Sequence, residues 1–243
     1  MIAEAQQASA STPAVRPARA WLAWSSGKDS LWALHLLRQS SELDVIGLLT
    51  SITEPYGRVT MHGVREGLVW AQAAELGLPL HRVAIPAKCE QEVYEYRMRR
   101  ALEEAMAEGV TKVVHGDVSL GDVRAHREQR LAELGLEAVF PLWGQESRDL
   151  ARDIIDGGVQ AYVTCLDPSK VSPELAGRPF DREFLEQLPA DVDWCGENGE
   201  FHTFAWDGPG YASPVPVHVG VTVNRDGFLF TDLVAAGSSL KPS

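Results

Sequence analysis

Short apolar runs alternating with helix-spaced segments dominate the first 142 residues. Ala20-Trp-Leu-Ala-Trp24 suits a buried strand, and it breaks into Ser25-Ser-Gly-Lys-Asp-Ser30 before a helical pattern from Leu31 to Arg38. Asp44–Thr50 reads as a second buried strand. Val64–Leu76 has helical spacing, with Leu68, Val69, Gln72, Ala73 and Leu76 near one face and Gly77 as a stop. Leu80–Ile85 is a third strand, Cys89–Ala107 a long helix, Lys112–His115 a fourth strand, Asp122–Leu134 a helix and Leu136–Leu142 a fifth strand. Such alternation predicts an α/β fold with a doubly wound, five-stranded parallel sheet, because parallel crossovers need a connecting element. Ligands in these sheets collect at the C-terminal strand ends. Three segments fall there: Ser25–Ser30, Thr53–Arg65 and Gly116–Arg124.

Beyond Trp143 the texture changes. A helix over Ser147–Ile155, a strand over Val159–Cys165, a Pro- and Gly-containing stretch over Pro168–Pro179 and a short helix over Asp181–Leu188 are expected. Val215–Val223 and Phe228–Val234 flank Asn224-Arg-Asp-Gly227, a strong hairpin signal. The expected organisation is therefore an extension over residues 1–19, a ligand-binding domain over 20–142 and a smaller α+β domain over 143–243.

Composition narrows the function classes. The chain has 243 residues, a formal charge of −12, 45% hydrophobic and 23% charged residues, as expected of a globular protein. The acidic balance argues against broad contact with a nucleic-acid backbone. Cys89, Cys165 and Cys195 form no Cys-x-x-Cys pair, so neither a disulfide framework nor a zinc site is suggested. The first 19 residues are rich in Ala, Ser, Gln and Pro and lack a continuous apolar core, so they read as a disordered extension rather than a secretory signal. No apolar run approaches the ~20 residues that span a bilayer. A cytoplasmic protein without membrane contact is expected, and a homodimer is an open alternative.

The Ser25–Ser30 segment carries the clearest chemistry. Small residues let backbone N–H groups approach an anion, a new helix adds its positive end, and Lys28 adds a full charge. A Walker A loop would need Gly at Leu22 and Ser or Thr at Asp29. Ser25, Ser26 and Ser30 can donate hydroxyls, and Lys28 should meet a β or γ phosphate. Asp29 is expected to orient Lys28, the loop backbone or a magnesium ion. Ser26 restricts the backbone if that position needs φ > 0.

A second constellation is Cys195-Gly-Glu-Asn-Gly-Glu-Phe-His-Thr203. Glu197 and Glu200 read as ligands for magnesium or an amine, or as a general base. His202 suits proton transfer or phosphate contact, and Cys195 reads as structural. A third is His115-Gly116-Asp117 with Arg124, Arg127 and Glu128, where a carboxylate and arginines could face a nucleotide. Met61-His62-Gly63-Val64-Arg65 follows the second strand, where base or substrate often sits, although a solvated loop explains it as well.

The loop resembles the pyrophosphate-binding loop of the ATP pyrophosphatases related to GMP synthetase and argininosuccinate synthetase. Together with Gly116-Asp117 to Arg124, Phe140-Pro-Leu-Trp143 and Cys195-Gly-Glu-Asn-Gly-Glu200, it resembles the diphthine–ammonia ligase family. The resemblance spans about residues 20 to 210. It implies an adenine nucleotide alpha hydrolase-like sheet, with ATP and Mg2+ as cofactors. The implied reaction adenylates a carboxylate, releases pyrophosphate, and passes ammonia to the acyl group with loss of AMP. In the family's best-defined activity that carboxylate is diphthine, a modified histidine on translation elongation factor 2. Asn198 and Phe201-His-Thr-Phe204 resemble family members from bacteria, which lack diphthamide.

The reading assigns catalysis to Lys28, Asp117, Glu197 and Glu200, and ATP binding to Ser25–Ser30, Gly116 and Arg124. It assigns substrate contact to His62, Arg65, Arg127, Asn198 and His202, and magnesium to Asp29 and Glu197. The alternatives are a tRNA-modifying enzyme built on the same loop and a nucleotide-binding sensor without turnover.

Overall fold

The computed structural model describes residues 16–237. Its first part runs β1 (Ala18–Ala23), α1 (Lys28–Ser40), β2 (Leu43–Thr53), β3 (Arg58–Val59), α2 (Glu66–Leu76), β4 (Leu80–Ile85), α3 (Gln91–Ala107), β5 (Lys112–Val114), α4 (Gly121–Ala132) and β6 (Glu137–Val139). Five strands are parallel in the order β4-β2-β1-β5-β6, and the two-residue β3 pairs antiparallel with the end of β2. The sequence pattern anticipates the parallel strands and helices but not β3, which is too short to leave a periodicity. The expected extension splits: residues 1–15 lie outside the described residues, whereas Ala18 and Arg19 already belong to β1.

Strand alternation divides the core. Leu22, Leu48 and Val114 face α1, α2 and the second sheet, whereas Trp21, Leu49 and Val113 face α3 and α4 with Leu102, Ala105 and Leu131. Both faces of the parallel sheet are thus covered, and its strands read as continuous apolar runs.

The second part contains α5 (Ser147–Asp156), β7 (Gln160–Leu166), α6 (Arg182–Glu186), β8 (Phe201–Asp207), β9 (Val217–Arg225) and β10 (Phe228–Ala235). Its antiparallel sheet has the order β8-β7-β10-β9. At the β9–β10 hairpin Asp226 (φ 52°) and Gly227 (φ 90°) take the left-handed conformations that a two-residue turn requires. Strand β8 corrects the expectation of one loop through Thr203: the loop ends at Glu200, and Phe201-His-Thr opens a strand. Among the described residues no helix is long and apolar enough to cross a membrane.

The two sheets share one apolar core, in which Leu34 and Val69 join Phe204 and Leu233. Gln72 staples them. It is fully buried on the apolar face of α2, its Nε2 donates to Ser26 O (2.9 Å) and Ala205 O (2.7 Å), and its Oε1 accepts from Trp24 Nε1 (2.8 Å). Ala205 N also donates to Ser26 O at 2.9 Å. Replacing Gln72 by Leu strands the Trp24 N–H and removes two bonds that join loop and strand. Urea unfolding of Gln72→Leu is expected to show a loss of about 3 kcal/mol, from buried polar groups left unpaired. A loss below about 1 kcal/mol would mean that the staple is incidental.

Candidate active site

The loop after β1 is built for close approach. Trp24 N donates to Leu49 O at 2.7 Å, which keeps the chain on the sheet until the turn. Ser26 then adopts φ 72°, and its buried Oγ has no partner among the described residues. Gly27 lies so near β8 that a Cβ would sit 3.1 Å from Thr203 O and Oγ1. Helix α1 starts at Lys28 without a cap of its own, and Thr203 Oγ1 accepts the Lys28 N–H at 3.1 Å. A strand of the second sheet therefore caps the helix into which the Ser25–Ser30 loop runs. Ser30 Oγ donates to Gly27 O (3.1 Å) and lies 2.9 Å from Ser25 Oγ.

Lys28 is 2% exposed, and its ammonium donates to both Asp29 oxygens at 2.9 Å and to Cys195 O at 2.6 Å. The rings of Phe180 and Phe201 lie 5.1 and 5.4 Å away. Burial alone would lower the Lys28 pKa; the Asp29 carboxylate, with Cys195 and Glu197, reverses that and holds it above the ordinary lysine value. The site keeps a full positive charge at any physiological pH.

The Cys195–Glu200 loop is held from inside. Asp193 Oδ1 accepts from Cys195 N (2.8 Å), Glu197 N (3.3 Å) and Ser147 Oγ (2.8 Å). Gly196 has φ 73°, and a Cβ there would meet Phe201 O at 2.6 Å. Glu200 is 3% exposed and accepts from Asn198 N (2.9 Å) and Asn198 Nδ2 (3.2 Å). Glu200 also accepts from Asp193 N (3.5 Å), so its carboxylate is spent within the loop and its anchor. Glu197 points the opposite way: Oε1 accepts from Val118 N (2.8 Å) and Ser119 N (3.2 Å), just beyond β5. Burial, with Asp29 and Asp117 nearby, raises the Glu197 pKa. Burial likewise raises that of Asp117, although Arg127 pulls it down.

These groups surround one cavity of about 940 Å³. Ser25, Gly27, Lys28, Asp29, Ser30, His62, Gly116, Asp117, Arg127, Glu197 and His202 all line it. Ser26, Arg65, Arg124, Asn198 and Glu200 do not. Arg65 instead pairs with Asp232 of β10 at 2.5 Å, and Arg58 joins the same carboxylate at 2.9 Å. Arg124 bonds Glu128 (2.7 Å) and stacks over Phe140 (5.0 Å) and Trp143 (4.7 Å). Sequence reasoning missed Thr203 as a helix cap and Asp193 as the loop's anchor. A polar Gln72 on an apolar helix face was the one signal for the staple.

Two of the cavity's histidines, His62 and His202, are held neutral. His62 and His202 lie with ring centroids 4.4 Å apart. Burial pushes His202 down to about 4, helped by Lys28, and burial with His202 and Lys28 puts His62 well below 6.5. Cys195 and Cys165 are thiols, because burial pushes each up to about 12. Cys195 Sγ donates to Ser147 O at 3.5 Å, the contact of a packing residue. Among the described residues no group of three or more His, Cys, Asp or Glu is arranged to hold a metal ion.

The family model described as the diphthamide synthase N-terminal domain matches residues 18–138, and that of the diphthamide synthase C-terminal domain matches residues 146–227. The chain belongs to the diphthine–ammonia ligase family. It is 27% identical over 175 residues to the diphthine–ammonia ligase of Bos taurus, covering 64% of this chain and 65% of that one. It is 27% identical over 154 residues to that of Homo sapiens, covering 56% and 57%, and 26% over 170 residues to that of Rattus norvegicus, covering 62% of each. The matches thus span 57 to 65% of these curated relatives' own length.

Two outcomes follow from the site's geometry. Ser26→Gly removes both a left-handed non-glycine residue and an unpartnered buried hydroxyl, so urea unfolding should show a gain of about 1 kcal/mol after glycine's entropy is counted. No gain would mean that Ser26 Oγ is satisfied in solution. The second outcome concerns pH. His62, His115 and His202 stay neutral in the fold while the unfolded chain protonates near 6.5. The unfolded state then binds more protons, so stability is lost as pH falls from 6.5 towards 4. Each histidine contributes up to about 1.4 kcal/mol per pH unit. Asp117 and Glu197, with raised values, act with the opposite sign at the lower end of that window. Stability that stays flat between pH 6.5 and 5 would contradict the neutral assignment, and His202→Gln should reduce the slope.

Proposed function

We propose that the chain is an ATP-dependent amide-forming ligase that adenylates a carboxylate and passes ammonia to the acyl group. The observation that carries this reading is the junction of the Ser25–Ser30 loop with Glu197 in one cavity, around the buried ammonium of Lys28. The start of α1 and the Ser25 and Ser30 hydroxyls cradle the triphosphate, and Lys28 supplies the fixed charge.

A carboxylate oxygen of the acceptor attacks the α phosphorus, and the bond from that phosphorus to the bridging oxygen of pyrophosphate breaks. Ammonia then attacks the acyl carbon, the carbon–oxygen bond to AMP breaks, and the nitrogen loses its surplus proton. That proton leaves to solvent, and the neutral imidazoles of His62 and His202 line the cavity beside the loop. Electrostatic preorganisation for the departing pyrophosphate is Lys28's part, since its charge is held in place before the reaction begins.

Magnesium fits this donor set in one way. Magnesium usually takes one or two carboxylates plus phosphate oxygens and waters rather than a protein cage. Glu197 leaves Oε2 without a hydrogen bond among the described residues, whereas Asp29 is engaged by Lys28. Glu197, with Asp29 beside it, would hold the ion, which supplies charge neutralisation on the phosphates. Asp117 holds Arg127, and Glu200 and Asn198 hold the loop in shape rather than touching substrate. The acceptor is a carboxylate on a small molecule or a modified side chain, and diphthine is the one that the relatives' name supplies. We place the working unit as residues 18–142 for the nucleotide, with the start moved to take in the whole of β1, and 143–243 for the acceptor, in the cytoplasm.

The test is incubation with ATP, magnesium, ammonium and a panel of carboxylates that includes a diphthine-bearing protein. AMP and pyrophosphate are the expected products, and ADP with phosphate would overturn the mechanism. Lys28→Ala should abolish nucleotide binding. Glu197→Gln should keep binding and lose about 100-fold or more in AMP release, as for a group acting on developing charge. A Glu197→Gln enzyme with full turnover would remove that residue from the reading.

A further inference from the structure

His115 stands just past β5, beside β1, and is 8% exposed. Its two ring nitrogens are placed very differently. Nδ1 lies 2.8 Å from Arg127 Nη1. A guanidinium has only donors, so Nδ1 must accept, and the ring proton of a neutral imidazole then sits on Nε2. Burial, with the charge of Arg127, holds His115 neutral, well below 6.5. Arg127 is fixed in turn, since Nη2 donates to Asp117 Oδ1 at 3.1 Å and Nε lies 3.0 Å from Oδ2. The imidazole stacks on Phe140 with centroids 5.5 Å apart. An Nε2–H donor therefore remains, buried and without a partner among the described residues, on a residue that lines the cavity. Native folds rarely leave such a donor unused.

The surroundings identify what it meets. Alternation along β5 puts His115 on the side of Val113, under α3 and α4, where Tyr94, Met98, Leu102, Val123 and Leu131 also wall the cavity. The arginines on this side are already paired: Arg127 with Asp117, Arg130 with Glu95, and Arg99 with Glu133. A carboxylate would find no free cation here, so the acceptor substrate is disfavoured. A flat, neutral heterocycle finds apolar walls and one donor. The wall also abuts the phosphate loop, since a Cβ on Gly116 would lie 3.3 Å from Asp29 C and Ser30 N.

We propose that His115, locked by Arg127 as the Nε2–H tautomer, donates a hydrogen bond to a ring nitrogen of the nucleotide's base. This rests on the reading of Ser25–Ser30 as a triphosphate cradle. His115 is thereby a specificity-determining residue, and Arg127 is its positioning residue.

Calorimetric titration of the full chain with α,β-methylene-ATP and its 1-deaza, 3-deaza and 7-deaza forms tests it. Wild-type protein should bind one deaza form about tenfold more weakly than the parent, the scale of a lost hydrogen bond. His115→Leu should bind the parent about tenfold more weakly and no longer distinguish that form. His115→Gln, which keeps a side-chain N–H, should recover most of the loss. Equal binding of the parent and all three deaza forms by the wild type overturns the inference without needing any variant. So does a His115→Leu protein that still discriminates, while the cradle survives either result. Failure of the wild type to bind the parent nucleotide overturns both.

Discussion

One buried ammonium sets the conditions for the rest of the site. Lys28 sits out of water between Asp29, the Cys195 carbonyl and two aromatic rings. An isolated charge at such a position would be strongly disfavoured, so the groups that satisfy it cannot drift. Asp29 comes from the same helix, but Cys195 comes from a loop 167 positions further along the chain. The loop after β1 can thus hold its charge only if the C-terminal half closes over it. Thr203 enforces the same closure by capping α1, and Gln72 ties Ser26 to Ala205.

The electrostatic arrangement follows from that closure. The chain is acidic overall, with a charge of −12, yet the cavity presents a fixed cation, a helix start and the neutral imidazoles of His62 and His202. Burial raises the cost of ionising Asp117 and Glu197, Asp29 adds to both, and Asp117 adds to that of Glu197. Lys28 holds Asp29, Arg127 holds Asp117, and Glu197 keeps one oxygen uncommitted. Under the proposed function, an anionic ligand would meet positive groups already in place, and the uncommitted Glu197 oxygen would share a cation with it. Clamping by Asp232 extends the same logic outward, since it holds Arg58 and Arg65 on either side of the turn that carries His62.

Much of this was legible before any coordinates. The parallel strands, their helices and the Ser25–Ser30 loop follow from periodicity and from the small residues at the strand end. Legibility fails where a residue's partner is distant in sequence. Glu197 and Glu200 look equivalent as letters, yet Gly196 and Gly199 turn the chain so that one carboxylate reaches Val118 and the other folds onto Asn198. Arg65 and Arg124 carry charges suited to phosphate, but each is drawn away by a nearer partner, Asp232 or the Glu128 and Trp143 pair. Thr203 has no local feature that marks it as a cap for a helix 175 positions earlier. Ser26 shows the reverse: its unfavourable backbone angle was foreseeable from the loop's shape, and φ is 72°.

Lys28 couples the Ser25–Ser30 loop to the Cys195–Thr203 segment, so that the two halves close on one cavity. Amide hydrogen exchange on Lys28→Met tests this most directly, because it reads the distant segment without any assay of turnover. The account predicts faster exchange at residues 193–203 in the variant, while α3 and the β9–β10 hairpin exchange as in the wild type. Unchanged protection of residues 193–203 would contradict it.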